Sequence, residues 1–352
     1  MTTPTPHPET LTIPVPRDYL LHRDACSYGY FLLAPNHWNP HTLALHRTFT
    51  LNNQPVKGLI WQGDRPAFSA VPIRSISRGS SLTVALESTL SDAQRRELTA
   101  QIHRMLNLHE DHSVVRSFHR VDPRFKASGR ARLFRSPTLF EDVIKTVTSC
   151  NVAWPSTIIM NKRLCEVVGD GGAFPTPAQL ARVRVTTLRA RCSVGYRDQR
   201  LIDLAKLFHT NQIDEARLTS PQTSDEEVLD FLLELPGIGP YAAANILQLL
   251  GRYAHLPLDT ESVRHGRTIL GFKGSSAQIM KKVKAHFAPM RQHTFRSYWF
   301  EMWEFYEAKR GKSWTWDRET TGKTFTASAL KDEGLGPKKI AAQKKKPRPR
   351  AK

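Results

Sequence analysis

The stretch SDEEVLDFLLELPGIGPYAAANILQLLG, residues 224–251, constrains the fold of this chain more than any other. Ser224 and Glu227 form a capping-box pattern, and Val228, Phe231, Leu232 and Leu235 follow at helical spacing. A helix is therefore predicted over 225–235. Pro236 and Gly237 end it, and Pro240 suits the first position of a second helix that carries Tyr241 to Leu250. The result is a helix, the LPGIGP hairpin at 235–240, and a helix. Gly237 and Gly239 permit backbone angles that a Cβ would forbid. They also remove bulk, so the amides of Gly237, Gly239 and Tyr241 can approach a phosphate at a helix N-terminus. On its own, PGIG also fits an ordinary turn between packed helices. The nearby segment HLPLDTESV then places Asp259 beside Ser262, where it reads as an N-cap for the following helix.

The flanking sequence divides in two. Before residue 120 the runs GYFLLA, LHRTFTL, KGLIWQG, AFSAVPIRSI and SLTVALES read as strands separated by turn residues. SDAQRRELTAQIHRML reads as a helix with Ser91 and Gln94 as its capping box. After 120 the periodicity is helical, over SPTLFEDVIKTVTSCN, STIIMNKRLCEVVG and TPAQLARV, where Thr176 caps and Pro177 starts the helix. Further helices are predicted around 198–209, 241–251, 260–270, 276–287 and 295–309. The fold class is α+β. An N-terminal antiparallel sheet with helices (1–120) precedes an all-α domain (121–318) and a basic tail (319–352).

The tail ends in GPKKIAAQKKKPRPRAK, which has few apolar residues to pack and repels itself, so it is predicted to be disordered. With 51 Lys and Arg against 32 Asp and Glu, the net charge is +19. A charge of that size points to an anionic partner, with nucleic acid foremost. No run of 18 apolar residues appears, which excludes a spanning helix. The N-terminus MTTPTPHPETLTIPVP lacks the apolar core of a signal peptide, so an intracellular protein is expected. Cys26, Cys150, Cys165 and Cys192 match no zinc or iron–sulfur spacing.

Taken together, LPGIGPYAAANI and LPLDTESV resemble the hairpin and the aspartate segment of the helix-hairpin-helix DNA glycosylase superfamily. The resemblance covers roughly residues 135–310. LFEDVIKTVTSCN, RLCEVVG, FPTPAQLA and VGYRDQRLIDLA follow in the order of its alkyladenine and 8-oxoguanine branches. FRSYWFEMWEFYE is similar to the closing helix of the alkyladenine branch. Both branches carry a sheet domain ahead of the helices. The endonuclease III branch lacks it and usually has a four-cysteine cluster loop, which is missing here.

The resemblance implies roles. Asp259 takes the position of the catalytic aspartate, a role compatible with capping. The hairpin amides of Gly237, Gly239 and Tyr241 would hold a DNA phosphate, and the carbonyls of Leu235 and Ile238 a monovalent cation; no other cofactor is required. Asn151 falls on the wedge position. Tyr196 and Arg197 fall on residues that the 8-oxoguanine branch sets against the orphaned opposite base, whose further arginine is Ser156 here. Tyr241, Asn245, Phe295, Trp299 and Trp303 are assigned to the base pocket, although Phe295, Trp299 and Trp303 at helical spacing also read as core. Bifunctional members use a lysine where this chain has Tyr241, and a phenol forms no imine. The implied activity is monofunctional excision of a flipped, damaged purine from double-stranded DNA, with water as nucleophile. An alkylated purine of the 3-methyladenine type is expected. The alternatives are an enzyme for oxidised purines and a non-catalytic DNA-binding protein. The protein is expected to act as a monomer.

Overall fold

A computed structural model describes residues 9–63 and 79–324 of the protein. The expected strand AFSAVPIRSI and nearly all of the basic tail lie outside the described residues.

Among the described residues five strands form one antiparallel sheet in the order β1-β5-β4-β3-β2. They are β1 (Glu9–Ile13), β2 (His37–Asn39), β3 (Ala44–Leu51), β4 (Gln54–Gln62) and β5 (Leu82–Leu86). β3 alternates buried and half-buried residues along most of its length, as a strand with one covered face must. GYFLLA is not a strand. It follows the short helix α1 (Leu21–Ala25) and turns as a 3-10 helix over Gly29–Leu32. Tyr30, Phe31 and Leu32 are all buried there, so the apolar run marks burial rather than strand pairing.

The helices follow the local signals closely. α2 (Asp92–Met105) begins at the Ser91/Gln94 capping box, and α3 (His112–Val121) at Asp111. α4 (Leu139–Ser149) is buried almost all round and α5 (Trp154–Val167) follows it. The short α6 (Pro177–Ala181) opens on the Thr176 box, and the single turn α7 (Val185–Thr187) follows. α8 (Asp198–His209) and the short α9 (Glu215–Thr219) lead to the hairpin pair, α10 (Asp225–Glu234) and α11 (Pro240–Leu249). α12 (Thr260–Thr268), α13 (Ser276–Phe287) and α14 (Thr294–Arg310) are the last α-helices among the described residues. Among the described residues no helix is long and apolar enough to cross a membrane.

The apolar residues sort into two main clusters. One joins the sheet and α2–α3 to residues of α12, α13 and α14, and the other unites α4 through α11. A buried ion group ties the two: Arg47 of β3 grips Glu141 of α4 at 3.1 and 2.5 Å, and Lys145 reaches the same carboxylate at 2.6 Å. Removing one member would strand its partners as buried charges.

α12 lies unusually close to α13. A Cβ built on Gly266 would stand 2.5 Å from Cγ2 of Ile279 and 2.9 Å from Cγ2 of Val283. We expect Gly266→Ala to destabilise the protein by about 1–3 kcal/mol through overpacking, read as a lowered urea midpoint with unchanged m-value. An unaltered midpoint would show that the two helices can part freely.

Candidate active site

Asp259 stands at the head of α12 as its N-cap. Its Oδ1 accepts the Ser262 N–H at 3.0 Å and the Ser262 hydroxyl at 3.2 Å. The same hydroxyl oxygen accepts the Asp259 N–H at 3.1 Å and, its own proton being given to Asp259, the Tyr298 O–H at 2.6 Å. Capping occupies Oδ1, and no side chain among the described residues donates to Oδ2. Burial pushes the Asp259 carboxyl above its ordinary 3.8, and the nearby charge of Glu261 adds to this, against the lowering effect of Ser262.

Asp259 lines a cavity of about 400 Å³, within the range of small-molecule sites. Four regions of the chain meet there. The 3-10 turn and its cap bring Tyr28, Gly29 and Tyr30; the start of α5 brings Trp154; α11 brings Tyr241 and Asn245; α14 brings Tyr298, Trp299, Met302, Trp303 and Tyr306. Trp299 stacks on Trp303, centroids 5.2 Å apart, and Tyr28 leans on Trp299 at 4.7 Å. Both indole N–H groups are already committed, Trp299 to the Ser27 carbonyl at 2.8 Å and Trp303 to the Cys26 carbonyl at 3.1 Å. What these residues offer the cavity is therefore ring surface. Asn245 is similarly tied: it accepts the Tyr28 hydroxyl at 3.1 Å and donates to the Tyr241 carbonyl at 3.2 Å. Burial and the neighbouring Asp259 hold the Tyr241 phenol far above its usual range, so it is neutral.

Phe295 does not line the cavity. It is fully buried and stacks behind Trp299 at 5.8 Å, so it belongs to the core that backs the pocket wall. Burial likewise pushes the Cys150 thiol, on the α4 side, up to about 11, which leaves it protonated and poorly nucleophilic. Among the described residues no lysine lines the cavity.

Asn151 sits at φ 54° in the turn after α4, exposed, with Nδ2 3.4 Å from the hydroxyl of Tyr196. Tyr196 is 53% exposed, conspicuous for a large aromatic residue. Arg197 is different. It is buried, and its guanidinium donates to the carbonyls of Val147 at 3.1 Å, Val194 at 3.2 Å and Cys150. It closes the C-terminal end of α4, where a cation is favoured, and so carries the Asn151 turn instead of facing a base itself.

The hairpin glycines have different needs. Leu235 accepts the Ile238 N–H at 3.1 Å across Pro236 and Gly237, and Gly237 adopts φ 77°. That is a turn with glycine at its left-handed position. A Cβ there would also meet Cδ of Arg200 at 2.7 Å. Gly239 has φ −103°, which any residue adopts, and a Cβ on it would meet nothing within 4 Å. Nothing within the described protein requires glycine at 239. Among the described residues there is no cluster of three or more metal-ligating side chains.

Sequence reasoning missed Tyr28, Tyr30, Trp154, Glu261, Tyr298 and Tyr306 as wall residues. The density of aromatics in SYGYF was a signal, hidden by reading that run as a strand.

No family model matches the sequence, and no curated protein does. Solved structures do match. The structure of MBOgg1 with a low-affinity DNA ligand aligns at 18% identity over 83% of this chain and 96% of that one, with a TM-score of 0.57. The 3-methyladenine DNA glycosylase of Archaeoglobus fulgidus aligns at 17% over 84% and 98%, TM-score 0.58. The 8-oxoguanine glycosylase/lyase of Clostridium acetobutylicum aligns at 15% over 81% and 93%, TM-score 0.57. The chain has the fold of the helix-hairpin-helix DNA glycosylases, with the sheet domain and the helices both included in the match.

Proposed function

We propose that the protein is a monofunctional base-excision-repair DNA glycosylase that removes damaged purines, chiefly alkylated ones of the 3-methyladenine type. The observation that carries this reading is the position of Asp259, a largely buried carboxylate with one oxygen fixed by Ser262, in the wall of an aromatic cavity that has the volume for a base.

The chemistry follows from that placement. Cleavage of the N-glycosidic bond builds positive charge on the sugar. A desolvated carboxylate stabilises such a cation more strongly than a hydrated one, and it can take a proton from the attacking water. Its raised pKa makes it the stronger base. The cavity supplies ring faces, which suit an electron-poor, cationic purine. Such a base is already an activated leaving group, so one carboxylate suffices. With tyrosine at 241 and no lysine in the wall, the product is an intact abasic site. The amides of Gly237, Gly239 and Tyr241 would hold a phosphate of the damaged strand. The carbonyls of Leu235 and Ile238 would hold a monovalent cation, the former keeping a lone pair beside its bond to Ile238. Asn151 would fill the gap left by the flipped base, with Tyr196 at its side. That pair also favours a second reading, an enzyme that inspects the opposite base and removes oxidised purines. The substrate is double-stranded DNA with a damaged base, bound by a monomer inside the cell.

Duplexes carrying one alkylated purine, 8-oxoguanine opposite cytosine, or hypoxanthine should yield breaks only after hot alkali, most with the alkylated base. Asp259→Asn should reduce excision about 10²–10⁴-fold with DNA binding retained; full activity in that variant overturns the assignment.

Gly239→Ala should leave the melting temperature unchanged, because its Cβ has free space. It should weaken DNA binding about tenfold or more, by holding the phosphate off the amides. Unchanged affinity would remove the hairpin from the interface.

The pH dependence has a defined sign. A carboxyl raised by folding costs no stability below its ordinary 3.8 and a growing amount as pH rises to its folded value. Asparagine still caps a helix, so Asp259→Asn should melt higher than the wild type at pH 7. The gain should vanish below pH 3.8. Excision by the wild type should rise with pH on a limb above the usual carboxylate range. A calorimetric series showing no pH-dependent gain would mean that the aspartate is well solvated.

A further inference from the structure

The cavity contains a second carboxylate, for which the excision step has no use. Glu261 follows Asp259 by two residues in the first turn of α12 and lines the same cavity. Both of its hydrogen bonds fall on one oxygen. Oε2 accepts from Nε of Arg264 at 2.7 Å and from the hydroxyl of Tyr306 at 2.6 Å. Among the described residues none donates to Oε1. Arg264 is itself held in place, its guanidinium 4.3 Å from the centre of the Phe305 ring and Nη1 on the hydroxyl of Thr268 at 3.4 Å. The glutamate is thus ordered before any ligand arrives, and the ordering cost that a free glutamate would meet on binding is already met.

We propose that Glu261 is a specificity-determining residue of the pocket. Its Oε1 receives an N–H of the extruded base, and its charge selects a base with a fixed positive charge over a neutral base of the same shape. The proposal rests on the glycosylase reading for the source of the base, not for the physics. Asp259 and Glu261 carry two negative charges at one end of the cavity, and Arg264 supplies one positive charge behind Glu261. Arg264 is paired with Oε2, so Oε1 of Glu261 is the charged atom left for a base lying against the faces of Trp299, Trp303 and Tyr28. The mutual repulsion of the two carboxylates already contributes to the raised Asp259 carboxyl. A cationic purine relieves that repulsion and gains from the ring faces as well; a neutral purine gains only stacking and the hydrogen bond. Asp259 is poorly placed for this task, because Ser262 fixes its Oδ1 and the other oxygen is needed at the sugar.

The test measures binding, so it does not depend on turnover. The full chain is titrated with 3,9-dimethyladeninium, whose charge is fixed by methylation, and with neutral 9-methyladenine, following quenching of tryptophan fluorescence. The wild type should bind the cation roughly tenfold more tightly. Glu261→Gln keeps an acceptor oxygen and removes the charge. It should leave binding of the neutral purine unchanged and remove most of the preference, whereas Asp259→Asn, which leaves Oε1 of Glu261 in place, should retain most of it. If Glu261→Gln does not fold, Tyr306→Phe releases one of the two ties on Oε2 and should lower the preference part of the way. An unchanged ratio in the Glu261 variant, a preference lost equally in Asp259→Asn, or no quenching by either purine would each overturn the proposal. Excision separates the two readings. If no duplex is cleaved while the binding preference depends on Glu261, the glycosylase reading fails and the role of Glu261 stands. If the wild type excises alkylated purines and Glu261→Gln slows cationic and neutral lesions alike, the role of Glu261 fails and the enzyme reading stands.

Discussion

A carboxylate removed from water is the constraint around which this molecule is arranged. Burial raises the Asp259 carboxyl, so the folded state holds its charged form at a cost. The position persists because the surroundings fix it from several sides. The head of α12 supplies a backbone N–H and a hydroxyl to Oδ1. α12 is then clasped to α14 by Ser262 on Tyr298, His265 on Glu301 at 2.7 Å, and Glu261 on Tyr306. Gly266 lets α13 close on the other flank. Each tie is modest, but together they leave the aspartate one orientation. A group meant only to cap a helix needs none of this, since a solvated N-cap does that task with its charge in water.

The N-terminal sheet region is part of this arrangement and not an appendage. Its core merges with that of α12–α14. The carbonyls of Cys26 and Ser27 fix the tilt of two tryptophans on α14, and Tyr28 in turn holds Asn245 of α11. The Arg47–Glu141–Lys145 group joins the sheet to α4, whose end carries the Asn151 turn. The pocket is therefore made jointly by the segment that accompanies the sheet and by the helical region. A cut between the two expected domains would expose apolar surface and strand buried charges at once.

What could be read from sequence was what sequence-local physics determines. The boxes at Ser91, Thr176 and Ser224, the proline and glycine punctuation of the hairpin, and Asp259 at a helix start all depend on residues within four positions of one another. The errors came from contacts that span the chain. Gly29–Leu32 is buried among residues far along the chain, with the Tyr30 hydroxyl on Thr146 and Gly29 against the Trp154 ring, while its cap Tyr28 reaches Asn245 and Trp299. Phe295 and Trp299 differ in role by one turn of α14, a distinction that helical spacing does not record but the direction of the cavity does. The resemblance set Arg197 against an orphaned opposite base, a role that calls for an accessible side chain. The arginine became a buried clamp because the end of α4 needed donors for its carbonyls, and nothing local to Arg197 announces that need.

The absence of an amine from the pocket wall, among the described residues, bears on how an enzyme built this way would select its substrates. An imine-forming lysine would capture the sugar directly and could drive departure of a neutral base. Without it, on the reading proposed above, the departing base must contribute more of the driving force, and alkylation provides that by placing positive charge on the purine itself. Selectivity then divides between two physical filters. The glycosidic bond of a cationic base breaks more readily wherever it is held, and the cavity of rings and carboxylates holds a cationic base better than a neutral one. Because both filters respond to charge rather than outline, the pocket can be broad in shape and still discriminate. A wall of stacked ring faces, with the indole N–H groups turned away to backbone carbonyls, is the form such a site takes.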